Sequence, residues 1–416
     1  MIRVFRGRIL NFLDGNNFED YPDGFLAIDN NGKIINYGKW CERFQHSYSN
    51  AKIFNYRKFI ILPGFIDVHL HLPQLHLRGR YGEELLNWLN NYIIKSELSE
   101  SNLYKIKKDI KSFYYEMVKN GTTTGLIFSS SSFKYTDWAF RIAQDFGIRA
   151  IIGKSMMDNK LSHFAVESTK KSLTESIELF EKWNGTDGRL YYAFSPRFAP
   201  ATTEILLKSV AKFCKNNNAY IHTHLAENRK ELNLTKKLFP QYNSYTELYY
   251  HTGILGPKTI VAHAIHLKDA EYKLLSKTQT KVAHCPSSNF FLHSGRANIA
   301  KMEQLNITIG LGSDVGAGPS FSMFSVMRDA YYVRKISPLK AFYYATLGGA
   351  KVLSLDNLIG NFAQNKEGDF IIVKYPTNCN KKTKTEELLS QMIFCGDDRL
   401  IVETYVRGKR LYYQKL

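Results

Sequence analysis

His69 and His71 stand two residues apart in Pro63-Gly64-Phe65-Ile66-Asp67-Val68-His69-Leu70-His71. Alternate side chains of an extended stretch point to opposite faces, so both imidazoles face one way and could clamp a divalent metal. Alone, such a triplet reads first as two polar residues at a strand end. Three other short apolar runs end the same way, in Ile221-His222-Thr223-His224-Leu225-Ala226-Glu227, in Val261-Ala262-His263-Ala264 and in Leu311-Gly312-Ser313-Asp314-Val315-Gly316. Brought to one place, histidines and an aspartate could bind a divalent ion and leave a position open for water. His222 lies two before His224 and could share its face.

The elements that must position these residues alternate. Short apolar strands are expected over 60–71, 122–128, 148–155, 190–194, 220–224, 259–264, 281–284 and 307–311, with amphipathic helices over 104–119, 168–183, 203–215 and 269–277 between them. Eight strands separated by helices indicate a (β/α)8 TIM-like barrel, an α/β fold whose chemistry gathers at the C-terminal ends of the strands. Both chain ends have a different texture. Gly24-Phe25-Leu26-Ala27-Ile28 and Ile34-Ile35-Asn36-Tyr37 flank an Asn31-Gly32 turn, and 369–373, 401–406 and 411–413 form a second set of short strands. The two ends are expected to build one small composite β-sandwich, with residues 1–60 and 356–416 flanking a barrel over 61–355.

The 416 residues hold 44% hydrophobic and 23% charged residues, which excludes a disordered chain or a peptide-sized module. Lysine and arginine exceed aspartate and glutamate for a net charge of +18, a balance compatible with polyanion binding or with a lysine-rich composition. No long apolar run or leader-like start is found, and the five scattered cysteines lack any CxxC pair, so a cytoplasmic protein with no membrane partner is expected. Zinc fingers are excluded by the same spacing. Gly153-Lys154-Ser155 and Gly310-Leu311-Gly312 miss the phosphate-loop and dinucleotide spacings, and the HxE with PCxxC signature of cytidine-type deaminases is absent.

With these residues in view, the chain resembles the amidohydrolase superfamily in its single-metal deaminase branch: His69, His71, His224, His263 and Asp314 follow that branch's order, and His224-Leu225-Ala226-Glu227 resembles its HxxE. It most closely resembles the guanine deaminase family, through His71-Leu72-Pro73-Gln74, Ser195-Pro196-Arg197-Phe198-Ala199-Pro200, His224-Leu225-Ala226-Glu227-Asn228-Arg229, His284-Cys285-Pro286-Ser287-Ser288-Asn289 and Gly310-Leu311-Gly312-Ser313-Asp314-Val315-Gly316-Ala317-Gly318. These segments lie within 63–318. The stretch Leu75-His76-Leu77-Arg78-Gly79-Arg80 is more basic than that family leads one to expect, which bears on the pocket lid and not on the metal.

The resemblance implies a hydrolase that converts guanine to xanthine and ammonia by attack of a metal-bound hydroxide on the amino-bearing ring carbon. It assigns His69, His71, His224 and Asp314 to one divalent metal, zinc before iron, with His222 a lumen filler or a support for a ligand. Glu227 would shuttle protons, Asp314 would accept one from the water, and His263 would orient the nucleophile or stabilise the adduct. Gln74 and Arg197 would hydrogen-bond the purine edge and Phe198 would pack on its plane. A homodimer acting on a small purine, without specific nucleic-acid binding, is implied as well. The competing readings are a related amidohydrolase for 8-oxoguanine, another purine, a pyrimidine or a triazine, and a non-catalytic scaffold.

Overall fold

The computed structural model describes residues 1–41, 48, 50–80, 85–93, 102–160, 164 and 166–415. Its strands, in chain order, are β1 (Arg3–Phe12), β2 (Phe18–Ile28), β3 (Ile34–Lys39), β4 (Lys52–Pro63), β5 (Phe65–His71), β6 (Thr122–Phe128), β7 (Arg149–Gly153), β8 (Ser155–Met156), β9 (Leu190–Pro196), β10 (Tyr220–Leu225), β11 (Thr259–His263), β12 (Lys281–His284), β13 (Ile309–Leu311), β14 (Phe370–Lys374), β15 (Ile401–Val406) and β16 (Lys409–Tyr413). The chain divides into two compact units. One comprises Met1–Asp67, Tyr114–Thr124 and Phe321–Leu416, the other Val68–Phe113 and Gly125–Ser320.

Strands from the two chain ends join in one continuous seven-stranded mixed sheet, ordered β16-β15-β14-β4-β1-β2-β3. The Asn31-Gly32 turn closes a hairpin with Ile28 opposite Ile34. Gly32 sits at φ +80, where a Cβ would also strike the Arg407 carbonyl at 2.1 Å, so the turn requires glycine on two counts. Phe5, Ile9, Leu26, Ile61, Phe370 and Tyr405 interlock on one face of this sheet, with Phe370 and Tyr405 stacked at 4.3 Å.

The second sheet is parallel, ordered β5-β6-β7-β9-β10-β11-β12-β13, with the two-residue β8 paired to β9. Strands β5, β6, β10 and β11 are buried along their whole length, as expected where helices cover one face and a lumen is filled on the other. Amphipathic helices Leu103–Lys119, Phe133–Phe146, Thr169–Trp183, Glu204–Asn217 and Asp269–Lys277 separate the strands. Ser132, Ser168 and Thr203 cap three of them through side-chain oxygens that accept from the first turn. The seam between the first and last strands is bridged just beyond β13, where the Asp314 amide donates to the His69 carbonyl (2.8 Å) and the His71 amide to the Val315 carbonyl (2.5 Å). This is the (β/α)8 barrel.

Two expected strands are divided. The stretch 60–71 breaks at Gly64: Ile60–Pro63 pair with β14 in the mixed sheet, while Phe65 starts the barrel. Pro63 contributes no amide hydrogen, and the Thr123 side chain occupies the space of a Gly64 Cβ at 2.3 Å, so the backbone changes sheets where no side chain fits. The stretch 148–155 is interrupted at Lys154. Its fully buried ammonium donates to both Glu167 oxygens at 2.6 Å.

Candidate active site

Each chemical residue arrives on a strand end or in the turn that follows. Alternation along β5 turns His69 and His71 to the same side, and alternation along β10 does the same for His222 and His224. His263 ends β11, and Asp314 follows β13. His263 (φ 71) and Asp314 (φ 52) both adopt left-handed backbone, which costs a residue with a Cβ about 1–3 kcal/mol and is typical of functional turns. Gly312 allows the last turn to approach β5, since a Cβ there would lie 2.7 Å from His69 Cβ.

The side chains converge. His71 Nε2 lies 3.2 Å from His69 Nε2 and 3.3 Å from His224 Nε2, and Asp314 Oδ1 is 3.3 Å from His69 Nε2 and 3.1 Å from His71 Nε2. His224 Nδ1 is 2.6 Å from the Arg197 carbonyl, which can only accept. A neutral His224 therefore carries its proton on Nδ1 and presents a bare lone pair at Nε2. Burial, with smaller contributions from neighbouring imidazoles, pulls His224 and His222 well below the usual histidine range. Burial likewise lowers His69, and His71 to about 3, against the opposing pull of Asp314. Burial alone would raise Asp314, but the facing His69 and His71 hold it well below the usual carboxylate range. The result is a set of neutral imidazoles around one ionised carboxylate. Nitrogen lone pairs facing one another at 3.2–3.3 Å repel unless a cation stands among them, and His69, His71 and His224, or His69, His263 and Asp314, bring donor atoms close enough to share one. The donor set therefore fits a divalent ion.

Glu227 sits at the edge of this cluster. Its Oε2 lies 3.5 Å from His263 Nε2, and Ser294 Oγ donates to its Oε1 at 3.2 Å. Burial first, and the Asp314 charge second, push its carboxyl up to about 8. Asn289 Oδ1 faces His263 Nδ1 at 2.8 Å, and Glu231 Oε2 accepts from the Glu227 amide (2.8 Å) and the Asn228 amide (3.1 Å), fixing the turn that carries Glu227. Burial and the neighbouring Glu227 raise Glu231 to about 7.

Gln74, Arg197 and Phe198 line the same pocket as His71, His224, Glu227, His263 and Asp314. Both polar atoms of the Gln74 amide are buried without a hydrogen-bond partner among the described residues, so the pocket holds a donor and an acceptor for a planar polar ligand. Phe198 forms an apolar wall with Trp88, Leu89 and Leu292 and meets Phe164 edge-on at 5.2 Å. Every residue proposed from the sequence thus lies in one place, while the pocket partners Ser294, Glu231 and Trp88 carried no readable signal. Asn289 lay inside the quoted His284–Asn289 segment without an assigned role. Of the basic stretch after Gln74, Leu77 joins the apolar wall, His76 pairs with Asp109 (2.9 Å), and Arg80 lies over the Tyr92 ring.

Comparison with known proteins agrees with this site. The model of the amidohydrolase family matches residues 60–411. The chain is 36% identical to guanine deaminase of Escherichia coli (strain K12) over 404 residues, covering 94% of this chain and 91% of that protein. The solved E. coli guanine deaminase superposes with a TM-score of 0.94 at 34% identity, over 99% of this chain and 100% of that one. Guanine deaminase from C. acetobutylicum, solved with guanine bound in its active site, superposes at 0.92 with 29% identity, over 99% and 100% of the two chains. With its barrel, its ordered histidine and aspartate donors and this likeness along nearly its whole length, the chain belongs to the amidohydrolase family, in its guanine deaminase group.

Proposed function

We propose that the protein hydrolyses guanine to xanthine and ammonia. The observation that carries the reading is the placement of a buried, proton-holding Glu227 beside the imidazole and carboxylate cluster, in a pocket that also presents Gln74, Arg197 and Phe198. His69, His71, His224 and Asp314 would hold one divalent ion, zinc before iron given three imidazole donors and a carboxylate. When bound, such an ion supplies Lewis acidity and lowers the pKa of water from 15.7 to about 7.

The chain's own groups account for the rest. Gln74 and Arg197 orient the purine edge and Phe198 covers its face, excluding water other than the reacting one. Water adds to the amino-bearing ring carbon as Asp314 accepts a proton, while Glu227 protonates the adjacent ring nitrogen. Glu227 then carries a proton to the departing amine, so that guanine and water leave as xanthine and ammonia. His263, braced by Asn289, orients the water or stabilises the tetrahedral adduct. We also propose a homodimer, a division into a barrel (61–355) flanked by a β domain from 1–60 and 356–416, and a cytoplasmic setting supported by the five free cysteines. Ammonia release and the ultraviolet change with guanine, beside 8-oxoguanine, adenine and cytosine, test the reaction on protein of known metal content. Rapid conversion of guanine alone is expected; conversion of another ring in preference would overturn the substrate assignment.

A further inference from the structure

His222 is fully buried in the barrel and has no place in the reaction described above. Its Nε2 lies 2.7 Å from His69 Nδ1, and its ring is edge-on to that of His69 with centroids 4.9 Å apart. His69 turns its other nitrogen, Nε2, toward His71 Nε2 and Asp314 Oδ1. A neutral imidazole has one proton. If Nε2 is to offer a lone pair to a cation, that proton must sit on Nδ1 and be donated to an acceptor. The atom at hydrogen-bond distance is His222 Nε2. His222 must then hold its own proton on Nδ1, and that nitrogen has no hydrogen-bond partner among the described residues. The alternative tautomer of His222 would set two N–H groups against each other at 2.7 Å or force His69 to surrender its Nε2 lone pair.

We propose that His222 is a positioning residue for the metal: its Nε2 accepts the His69 Nδ1 proton and so locks His69 in the tautomer and ring orientation that direct Nε2 at the ion. The inference rests on the metal reading above. It explains why a second histidine occupies the lumen face of β10 beside His224, where an apolar side chain would fill space equally well.

The test measures zinc affinity by chelator competition on metal-free wild type, His222→Leu and His222→Gln, with thermal melts of the metal-free proteins in parallel. Leucine keeps bulk and removes the acceptor; glutamine restores one through its amide oxygen. The expected result is about 10–100-fold weaker zinc binding for His222→Leu, the range for loss of a ligand's supporting hydrogen bond, and recovery to within a few-fold for His222→Gln. Equal affinity of His222→Leu and wild type would overturn the assignment and leave the metal reading standing. Wild type that binds no zinc would overturn both. Should His222→Leu fail to fold, nitrogen-15 shifts of wild-type histidines loaded with zinc decide: His222 protonated on Nδ1 supports the assignment, and protonation on Nε2 overturns it.

Discussion

Glu227 and His224 stand three residues apart at the end of one strand and make different demands on the protein. His224 offers a lone pair to the cluster, whereas Glu227 faces His263 and Ser294 and holds a proton. Replacing Glu227 by Gln should keep metal binding and lower kcat/KM by at least about 10²–10⁴-fold, the usual worth of a general acid and base. His224→Ala should lose metal and turnover together; metal analysis beside kinetics separates the two. The Glu227 carboxyl also predicts a pH dependence for the metal-free protein. Burial raises its folded pKa to about 8, above the ordinary carboxyl value. The folded state therefore binds the extra proton, and this contribution to stability is full below the unfolded pKa and is lost as pH rises toward and through about 8. Denaturant titrations of metal-free protein between pH 4 and 9 should show Glu227→Gln gaining on wild type as pH rises, and a constant difference would contradict this. The shared face of His69 and His71 was legible from strand alternation alone. Ser294 and Trp88 were not, because a loop serine and a tryptophan in a short helix acquire their meaning only from what folds against them.

At the scale of elements, the close passage of the turn after β13 along β5 controls the site. Gly312 has no room for a methyl group between His69 Cβ at 2.7 Å and Cys285 Sγ at 3.0 Å, whereas Gly256 has nothing within 4 Å. Gly312→Ala should therefore destabilise the protein by about 1–3 kcal/mol, as overpacking does, and weaken metal binding by displacing His69. Gly256→Ala should stay within about 0.5 kcal/mol of wild type. Unfolding curves and chelator competition on the two variants check this. The same glycine sits in a run that misses the dinucleotide spacing, and its reason is crowding at the seam rather than a phosphate. The alternation of strands and helices was readable from period and length, since buried parallel strands are short and uniformly apolar. The change of sheets at Gly64 was not, because an unbroken apolar run carries no mark of which neighbour each half will pair with.

For the whole molecule, the ion ties distant parts of the chain together, so removing it should cost the entire fold some of its stability. A ligand that binds only the folded state adds RT ln(1 + [L]/Kd), about 4 kcal/mol at a thousand times Kd. Exhaustive chelation should lower Tm by several degrees, with recovery on adding zinc; an unchanged Tm would mean that the cluster holds no ion. The composite β domain was legible because both ends carry hairpin texture, although composition could not say that their strands would merge into one sheet. Nor does the charge of +18 find a counterpart in the site, whose substrate is a neutral ring.

The seam has one more consequence. The hydrogen bonds that complete the barrel join the backbones of His69 and His71 to Asp314 and Val315, residues from its first and last strands. During synthesis the early histidines emerge long before the aspartate. Until the ribosome has delivered the final strand, the nascent chain can neither complete the ring nor offer the full set of donors. Loading of the ion is therefore a late event in the life of each molecule, and the aspartate that finishes the cage is set beside the residues that finish the fold.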